Sequence, residues 1–392
     1  MSDVLPDLSE GASRSRLLEM LSDAGARRVL REPAPDLGLA DHLPFPFLAM
    51  VGQLEMRTAL LLVVINPAVG GVLLIGPRGT GKTTCVRSLT DLLPYIEVST
   101  CPEGCLRSDL DDNGNPDVCP ECRAKLAAGE PISRYDTVKL VELPLNARLE
   151  DVVGGVNERI AVQQGRVRLE RGILARADQN LLYIDEVNLL DDIIVDAILD
   201  AAAQGSYTVR RGAMAGTYRA RFVLIGSMNP EEGRLRPQIM DRFGLRVPVQ
   251  GLNTRDERLE VYTRVRRYQT NRRRFLVEWA EMTAAARDEI AWARDLLRET
   301  RLSDEAVEVG LALVRELEID SHRAEYAMFE AARAYAAADG RDLVSVEDIR
   351  AVAPMALRQR RSQFMMDFFA RQSDEDTMIR DQIDRLAANG TD

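Results

Sequence analysis

The stretch Val72-Leu-Leu-Ile-Gly-Pro-Arg-Gly-Thr-Gly-Lys-Thr83 decides the fold class of this chain. Its first four residues, Val72–Ile75, form an apolar run of strand length, and Gly76–Thr83 fits the pattern G-x-x-x-x-G-K-[ST]. A helical pattern follows over Thr84–Leu93. A strand that passes through a glycine loop into a helix surrounds the phosphates of a nucleotide with backbone N–H groups. The alternative is an ordinary glycine turn, which the strand and the helix beside the motif disfavour.

The loop supplies the candidate nucleotide-binding residues. Lys82 can reach the β- and γ-phosphates, and the Thr83 hydroxyl can bind Mg²⁺. The glycines let the backbone approach the phosphates, and the start of the following helix adds positive potential. The predicted cofactor-binding residues of the loop are Gly76, Gly79, Thr80, Gly81, Lys82, Thr83 and Thr84.

A second apolar run, Leu181–Ile184, ends in the acidic pair Asp185-Glu186. At the carboxyl edge of a parallel sheet such a pair lies beside the phosphate loop. Asp185 would hold Mg²⁺ directly or through water, and Glu186 would orient and polarise the attacking water. The alternative is a strand that ends in two solvated acids. At the end of a third run, Asn229 could bond the γ-phosphate or the water, or could be only a turn residue before a proline.

Short apolar runs alternate with helical patterns up to about residue 250, which predicts an α/β fold with a mainly parallel sheet flanked by helices. The other predicted strands are Thr137–Leu143, Phe222–Ile225 and Leu245–Val249. Only helical patterns follow Gly251, namely Thr254–Tyr268, Leu276–Leu297, Ser303–Leu317, Ala324–Ala338 and Val346–Arg358, the last with a capping-box start at Ser345 and Asp348. We expect an N-terminal tail (1–43), a nucleotide-binding domain (44–250), a smaller all-α domain (251–361) and a C-terminal tail (362–392).

Composition narrows the classes of function. The chain has 392 residues with 51 basic and 62 acidic side chains, a formal net charge of −11, which disfavours nucleic acid as a partner. Its two histidines argue against a histidine triad or a multi-histidine metal site. It contains no uncharged apolar stretch of about 18 residues, so we expect no membrane insertion. The N-terminal sequence lacks the apolar core of a signal peptide, so we expect a cytoplasmic protein.

Four of the five cysteines lie in the insert 100–130, with the spacing Cys101-x₃-Cys105 and Cys119-x₂-Cys122. This spacing suits four thiolates around a tetrahedral Zn²⁺. The same window holds Asn113-Gly-Asn-Pro116, turn chemistry for a loop that would need a staple. Free or redox-active thiols and an iron–sulfur cluster are the alternatives. A metal here would be structural, because four protein ligands leave no open coordination position.

The segment Arg264–Arg274 contains six arginines. A nucleic-acid patch is conceivable for such a segment. The acidic net charge and the few interleaved aromatic residues favour a solvated helix face or a subunit contact instead.

Taken together, these segments resemble the AAA+ ATPases and, more closely, the I subunits of magnesium chelatase. The resemblance covers roughly residues 45–360 and rests also on Met228-Asn-Pro-Glu-Glu-Gly233, Leu235-Arg-Pro-Gln238 and Asp241-Arg-Phe-Gly-Leu245. The four-cysteine window departs from the commoner forms of that subunit, so the family does not explain it. The fold that the resemblance implies is an AAA+ P-loop domain followed by an all-α lid domain.

The resemblance also implies residue roles. The adenine pocket would be lined by Val51, Gly52 and Gln53. Asn229 would be the sensor residue in the strand after the acidic pair. Arg242 would be an arginine finger that reaches the ATP of a neighbouring subunit, and Arg323 a lid arginine that touches the γ-phosphate of its own subunit.

Two further inserts are similar to those of the family. Val153–Asp178 is predicted as a helical or hairpin insert, and 205–221 as a β-hairpin that turns at Gly212–Gly216. In the family such hairpins project from the ring and touch partners. Ordinary connections between sheet elements are the alternative.

The function implied is ATP hydrolysis, with Mg²⁺, in a homo-oligomeric and expectedly hexameric ring. This hydrolysis would drive Mg²⁺ insertion into protoporphyrin IX, for chlorophyll or bacteriochlorophyll synthesis, by an integrin-like D subunit and a porphyrin-binding H subunit. One alternative is a related ATPase that remodels or metallates another client with an integrin-like metal-binding-domain protein. A second is a nucleotide-gated scaffold or nucleic-acid-binding module whose ATP turnover is incidental.

Overall fold

A computed structural model describes residues 44–101, 103–107, 110, 118–156, 169–211, 214–361 and 378. The predicted tails 1–43 and 362–392 lie outside the described residues, apart from Met378. Within these ranges no helix is long and apolar enough to cross a membrane.

Strands and helices alternate along the first two hundred described residues. The strands are β1 (Val72–Ile75), β2 (Ile96–Ser99), β3 (Ser133–Asp136), β4 (Leu140–Leu143), β5 (Gly154–Val156), β6 (Leu169–Arg171), β7 (Leu181–Ile184), β8 (Ser206–Arg211), β9 (Met214–Arg219), β10 (Val223–Met228), β11 (Leu245–Pro248), β12 (Arg301–Leu302) and β13 (Leu343–Val344). The α-helices are α1 (Leu54–Ile65), α2 (Lys82–Ser88), α3 (Pro120–Ala127), α4 (Leu149–Val153), α5 (Ile173–Ala177), α6 (Asp192–Gln204), α7 (Pro237–Arg242), α8 (Arg255–Thr270), α9 (Arg272–Leu296), α10 (Asp304–Glu316), α11 (His322–Ala338) and α12 (Val346–Leu357).

The central sheet of the described residues has five strands in the order β11-β1-β10-β7-β4, and every neighbouring pair is parallel. Numbered along the chain within the sheet, the order is 5-1-4-3-2. Strand β10 therefore lies between β1 and β7, and the carboxyl ends of all three meet at one edge. This arrangement confirms the predicted parallel sheet flanked by helices.

The two faces of the sheet bury different sets of helices, because successive side chains of a strand point to opposite faces. On one face Val72 and Leu74 of β1 join a core with α1 and the C-terminal helices α11 and α12. On the other face Leu73 joins a core with α5, α6 and α7. Helix α1 is buried from Met56 to Ile65, so it is a central helix rather than an amphipathic surface one.

The strand predictions hold with shifts of a few residues at their ends. The predicted strands Val72–Ile75 and Leu181–Ile184 match β1 and β7. The predicted strands Phe222–Ile225 and Leu245–Val249 correspond to β10 and β11. The predicted strand Thr137–Leu143 is wrong in its first half, because only Leu140–Leu143 pairs with β7. The helix expected at Thr84–Leu93 starts at Lys82 and changes after Ser88 into a 3₁₀ turn.

The C-terminal region is helical as predicted, with one difference. Strands β12 and β13 form a two-residue parallel pair, so the region is not purely α. This pair joins the segment after α9 to the segment after α11. The Arg301 N–H donates to the Asp342 carbonyl there, at 2.8 Å. The capping box at Ser345 and Asp348 is present at the start of α12.

Both predicted inserts contain antiparallel hairpins. Strands β5 and β6 pair within the first insert, and helix α5 follows them. Residues 157–168 between the two strands lie outside the described residues, so the helix-or-hairpin alternative stays open there. In the second, Arg211 pairs with Met214, so the turn is tighter than the predicted Gly212–Gly216. Gly216 pairs with Val209 and so lies within β9 rather than in the turn. The register leaves two residues between the strands, which is a favoured hairpin length.

Candidate active site

The phosphate loop leaves β1 at a point where no side chain would fit. Gly76 donates its N–H to the Met228 carbonyl of β10 at 3.0 Å, and a Cβ on Gly76 would lie 2.0 Å from the carbonyl oxygen of Val249. Gly79 and Gly81 have φ angles of +80° and +88°, which side chains rarely adopt. The loop conformation therefore depends on these three glycines, and α2 starts directly after them.

Lys82 is the first residue of α2 and is folded back over the loop. Its Nζ donates to the carbonyls of Gly76 at 2.6 Å and Pro77 at 2.8 Å. Burial lowers the pKa of this ammonium, and the nearby carboxylates of Asp185, Glu186 and Glu232 act in the opposite direction. The ammonium is thus held in the concavity of the loop, the place where phosphate oxygens would replace the two carbonyls.

Asp185 follows β7 and lies at the centre of a hydroxyl network. The Tyr183 hydroxyl donates to Asp185 Oδ1 at 2.8 Å, and the Ser227 hydroxyl donates to the same oxygen. The Thr83 hydroxyl lies 3.4 Å from Asp185 Oδ2 and 3.1 Å from the Tyr183 hydroxyl. A hydroxyl and a carboxylate at this separation are the oxygen ligands that Mg²⁺ prefers, so the residues present fit the ion.

Sequence reasoning missed Tyr183 and Ser227. Both stand two residues before a predicted site residue on the same strand face, which is the signal that could have found them. Burial raises the pKa of Tyr183, and the adjacent Asp185 charge adds to the effect, so the phenol stays protonated and remains a donor to that carboxylate.

Glu186 is held by the phosphate loop itself. Its backbone adopts φ = 53°, and its N–H donates to the Ser227 hydroxyl at 3.1 Å. The Glu186 carboxylate pairs with Arg78, whose Nε and Nη2 lie 3.0 and 2.9 Å from Oε1. The same Arg78 also reaches Glu232 at 2.8 Å. Arg78 is an exposed loop residue that the sequence motif does not specify, so only the tertiary contact identifies it.

Asn229 is buried at the end of β10. Its Oδ1 accepts the Glu231 N–H at 3.3 Å, the local contact expected of a turn asparagine. Its place at the carboxyl edge beside β1 and β7 is also the one that a phosphate-sensing amide would need. The geometry thus supports both interpretations, and the sensor role stays a prediction.

The two predicted arginines are held by acids within this chain. Arg242 ends α7 and donates to Asp200 of α6 at 2.6 Å. Arg323 lies near the start of α11 with its Nη1 3.8 Å from Asp241. Among the described residues, no hydrogen bond or ion pair joins either arginine to the phosphate loop of the same chain. Their roles stay predictions.

An apolar cavity of about 440 Å³ opens beside the phosphate loop. Val51 and Gln53 line it, as do Gly79–Gly81 and Val261 and Val265 of α8. Gly52 has φ = +61°, and a Cβ there would lie 2.5 Å from Leu252. A cavity with apolar walls that ends at the phosphate loop has the size and lining suited to a nucleotide base.

The four cysteines of the insert come together away from this edge. Cys101, Cys105, Cys119 and Cys122 are all buried, and their Sγ atoms lie within 4.8 Å of one another. Burial opposes ionisation of Cys101, yet hydrogen bonds to its sulfur from Ser99 and from the Cys105 N–H lower its pKa to about 6. The remaining cysteine, Cys85, is buried in the core, where burial raises its pKa to about 12.

The arginine-rich segment is used partly inside the fold. Arg264 donates to the Ala49 carbonyl at 3.0 Å and stacks on Trp279 at 5.3 Å. Arg267 pairs with Glu278 at 2.5 Å. These contacts disfavour a nucleic-acid patch. They also show that the predicted solvated helix face is wrong for Arg264, which is buried by its packing against Ala49 and Trp279. A subunit contact stays a prediction for the rest of the segment.

Two family profiles match the chain. The profile described as magnesium chelatase, subunit ChlI, matches residues 156–237, and the profile described as AAA lid domain matches residues 311–382.

Curated relatives match over most of the chain. A magnesium-chelatase subunit ChlI homolog of Methanocaldococcus jannaschii is 44% identical over 82% of this chain and 87% of its own length. The magnesium-chelatase 38 kDa subunit of Acidiphilium rubrum is 43% identical over 81% of this chain and 90% of its own length. The corresponding 38 kDa subunit of Cereibacter sphaeroides is 42% identical, with 81% and 92% covered.

Two solved structures are similar to this chain. A crystal structure at 2.00 Å of a candidate ATPase from Cytophaga hutchinsonii matches with a TM-score of 0.51 and 20% identity, and covers 80% of this chain and 83% of that one. A structure of the complex between magnesium chelatase subunits BchI and BchD, from a 7.5 Å cryo-electron-microscopy reconstruction, is 37% identical over 83% of this chain and 99% of that chain, with a TM-score of 0.46.

Proposed function

The chain belongs to the magnesium chelatase subunit I family of AAA+ ATPases, and we propose on that premise that it is the ATP-hydrolysing motor subunit of a magnesium chelatase. Its ATP turnover would drive the insertion of Mg²⁺ into protoporphyrin IX, in chlorophyll or bacteriochlorophyll synthesis, by partner subunits. In this proposal the inserted Mg²⁺ is substrate, and the Mg²⁺ at Thr83 and Asp185 is the ATPase cofactor.

The observation that carries the ATPase proposal is the contact between Thr83 and Asp185, 3.4 Å apart at the shared edge of β1 and β7. It brings a hydroxyl from the phosphate loop and a carboxylate from another strand to one point, with Glu186 as the next residue. When bound there, Mg²⁺ would neutralise charge on the β- and γ-phosphates. The apolar cavity that Gly79–Gly81 of the loop also line would hold the base of the nucleotide.

The catalytic work falls to side chains that already stand around this point. Lys82 and the loop N–H groups would hold the phosphates in line, while Asn229 would fix the γ-phosphate or the water. Glu186 would accept a hydrogen bond from the attacking water and so orient and polarise it. For this Glu186 must leave Arg78, and negative phosphate oxygens in the loop are the partner that would draw Arg78 away.

Of the two remaining arginines, Arg242 would act between subunits, and its role requires a ring of identical subunits, for which we propose a hexamer. Arg242 would leave Asp200 and act on the ATP of a neighbouring subunit, since it makes no described contact with its own loop. Arg323 would act on the γ-phosphate of its own subunit when the lid closes. The division that this proposal uses is a nucleotide-binding domain at 44–250 and a lid at 251–361.

The proposed partners are the D and H subunits of the chelatase. One similar solved structure is a complex of BchI with BchD, which supports the first of these partners. A cytoplasmic location stays a prediction. Zn²⁺, the other cofactor predicted from the sequence, has no part in this chemistry, because four protein ligands would leave no coordination position open.

The test is reconstitution. The purified chain is mixed with D and H subunits, ATP, Mg²⁺ and protoporphyrin, and Mg-porphyrin fluorescence and phosphate release are followed together. We expect insertion with the wild-type chain and a loss of both signals by about 10²–10⁴-fold for Glu186→Gln, the usual contribution of a general base. Glu308→Gln, the same change on the exposed surface of α10, is the matched control and should behave as wild type.

The result also separates the alternatives. ATP hydrolysis that depends on Glu186, with no insertion by cognate D and H subunits, would move the assignment to an ATPase that remodels or metallates another client. Insertion that persists in Glu186→Gln would contradict the role of ATP hydrolysis altogether.

A further inference from the structure

The four cysteines of the insert form a compact group of sulfur atoms outside the nucleotide site. Their Sγ atoms all lie within 4.8 Å of one another, and each residue is at most 8% exposed. All four are free thiols in the structure. One ion with bonds of about 2.3 Å to four sulfurs would hold them about 3.8 Å apart in a tetrahedron. Separations that all lie within 4.8 Å are compatible with a single-ion site of this size.

We propose that these four cysteines bind one Zn²⁺ in a closed site. The ion would anchor the cysteine loop (residues 101–122) to the ends of strands β6 and β9, which belong to the two neighbouring hairpins. A set of four thiolates selects Zn²⁺ over the hard cations Mg²⁺ and Ca²⁺. An iron–sulfur cluster would spread the four thiolates over several irons bridged by sulfide, so some of the Sγ atoms would stand further apart than the 4.8 Å within which all four lie. Two disulfides would need paired sulfurs about 2.05 Å apart, which the group does not have.

The backbone around the group is arranged to support negative sulfur atoms. The N–H of Cys105 donates to Cys101 Sγ at 3.4 Å, and the N–H of Cys119 donates to Cys105 Sγ at 3.3 Å. The N–H of Cys122 donates to Cys119 Sγ at 3.4 Å, so three of the four sulfurs accept a main-chain donor. Such hydrogen bonds orient metal ligands and offset the excess charge of four thiolates on a divalent ion.

The segment has too small a core to hold this arrangement by apolar packing. Besides the four cysteines, its described core consists of Val118 and Ile132, with Leu110 and Leu126 packed against it. Small units of this kind are usually stabilised by disulfides or a metal. A metal whose ligands come from both ends of the loop would supply that stability, because binding it requires the folded arrangement.

The loop is fastened to both hairpins through carbonyls next to the sulfur atoms. Arg171, at the end of β6, donates to the carbonyl of Cys101 at 3.2 Å. Arg219, at the end of β9, donates to the carbonyl of Gly104 at 3.1 Å. Gly104 immediately precedes Cys105 and has φ = +77°, so the turn between the two ligands sets where both acceptors point. A metal ion that fixes the sulfur positions would therefore also fix the carbonyls of Cys101 and Gly104, which accept the hydrogen bonds from the two arginines.

The first experiment measures metal in the full-length chain purified under reducing conditions. Elemental analysis should find one Zn²⁺ per chain, and Co²⁺ exchanged into the site should give the ligand-field and charge-transfer absorption of a tetrahedral thiolate complex. Cys122→Ser should lose the bound metal, whereas Cys85→Ala, at the buried cysteine outside the group, should retain it. Because Cys122→Ser can also unfold the loop, Zn²⁺ is titrated back into the chelated wild-type chain against a competing chelator.

The second experiment tests the anchoring by hydrogen exchange. Removing the metal should raise amide exchange by about tenfold or more in 118–132 and in β9, with β1 unchanged. Arg219→Gln should keep its Zn²⁺ but show faster exchange in β9, whereas Arg210→Gln, an exposed arginine on the paired strand β8, should not. Faster exchange confined to 118–132 after metal removal would overturn the anchoring.

Three results would overturn the zinc site. One is a wild-type chain that neither contains Zn²⁺ nor takes it up in the titration. Another is iron with acid-labile sulfide in matching amounts. The third is an intact mass four hydrogens below that of the thiol form, which would mean two disulfides.

Discussion

Replacing Arg360 with methionine should be among the most destabilising single changes outside the apolar core. The Arg360 side chain is fully buried, and its five N–H donors all find acceptors. Nη1 donates to the side chain and carbonyl of Asp241 at 2.6 and 3.1 Å, Nη2 to the carbonyls of Phe243 and Gly244 at 3.0 Å each, and Nε to Ala356 at 2.6 Å. The guanidinium thus ties the end of α12 to the segment that carries Arg242.

The size of the effect follows from what the substitution leaves behind. Breaking a fully buried ion pair by removing one partner costs about 3–5 kcal/mol, and the partner left behind here, Asp241, is 27% exposed. Asp241 keeps the Ser321 hydroxyl at 2.8 Å and Arg246 at 3.5 Å, which places the loss toward the lower end of that range. Methionine fills the volume of the aliphatic stem, so little of the loss comes from a cavity.

Urea unfolding followed by circular dichroism measures this loss. With a slope of about 3 kcal/mol per molar urea, a loss of about 3 kcal/mol lowers the midpoint by about 1 M. Arg350→Met is the matched control, since Arg350 pairs with Glu347 on the surface of α12 and such pairs contribute about 0–1 kcal/mol. If Arg360→Met lowered the midpoint no more than Arg350→Met, the reasoning about the buried ion pair would be refuted.

Three further outcomes follow from the active site. Gly76→Ala should lower the nucleotide affinity measured by calorimetry and reduce the free energy of unfolding in urea by about 1–3 kcal/mol, because its Cβ would lie 2.0 Å from a backbone carbonyl oxygen. Gly155→Ala is the control and should change neither quantity, since the nearest described atom lies 3.8 Å from its Cβ. The Arg242→Ala and Glu186→Gln variants should each lack ATPase activity alone. In a random equal mixture about one quarter of the interfaces should be active, because there one subunit supplies Glu186 and its neighbour supplies Arg242. No recovery in the mixture would contradict an arginine finger that acts between subunits. Tyr183→Phe should raise the Mg²⁺ concentration needed for half-maximal ATPase activity, since the carboxylate that it contacts loses a donor, and an unchanged Mg²⁺ dependence would exclude this role.

Much of the site could be predicted from the sequence because the signals for it are local. The phosphate loop needs glycines at fixed positions within eight residues, so the amino-acid sequence displays them directly. Strand β7 followed by Asp185 and Glu186 is equally local, as is the capping box at Ser345. The cysteine spacing likewise predicted that four sulfurs could converge, although it left three chemistries open.

Other contacts were beyond sequence reasoning because they join residues far apart in the chain. Tyr183 and Ser227 reach Asp185 only because β10 lies beside β7. Arg78 and Glu186 are 108 positions apart in the sequence, and neither segment contains a pattern that predicts their contact. The two-residue pair β12–β13 also escaped prediction, since strands this short carry no periodic signal.

The sequence by itself therefore determined the fold class, the nucleotide loop, the acidic pair and the family, because propensity, periodicity and motif spacing act within a few residues. Only the tertiary structure decided which partners those residues have. It set the strand order that brings Thr83 to Asp185, the ion pairs that hold Glu186 and Arg242, and the distances among the four sulfur atoms. The physical reason is that these contacts depend on burial and long-range packing, whose free energy belongs to the whole fold rather than to any local segment.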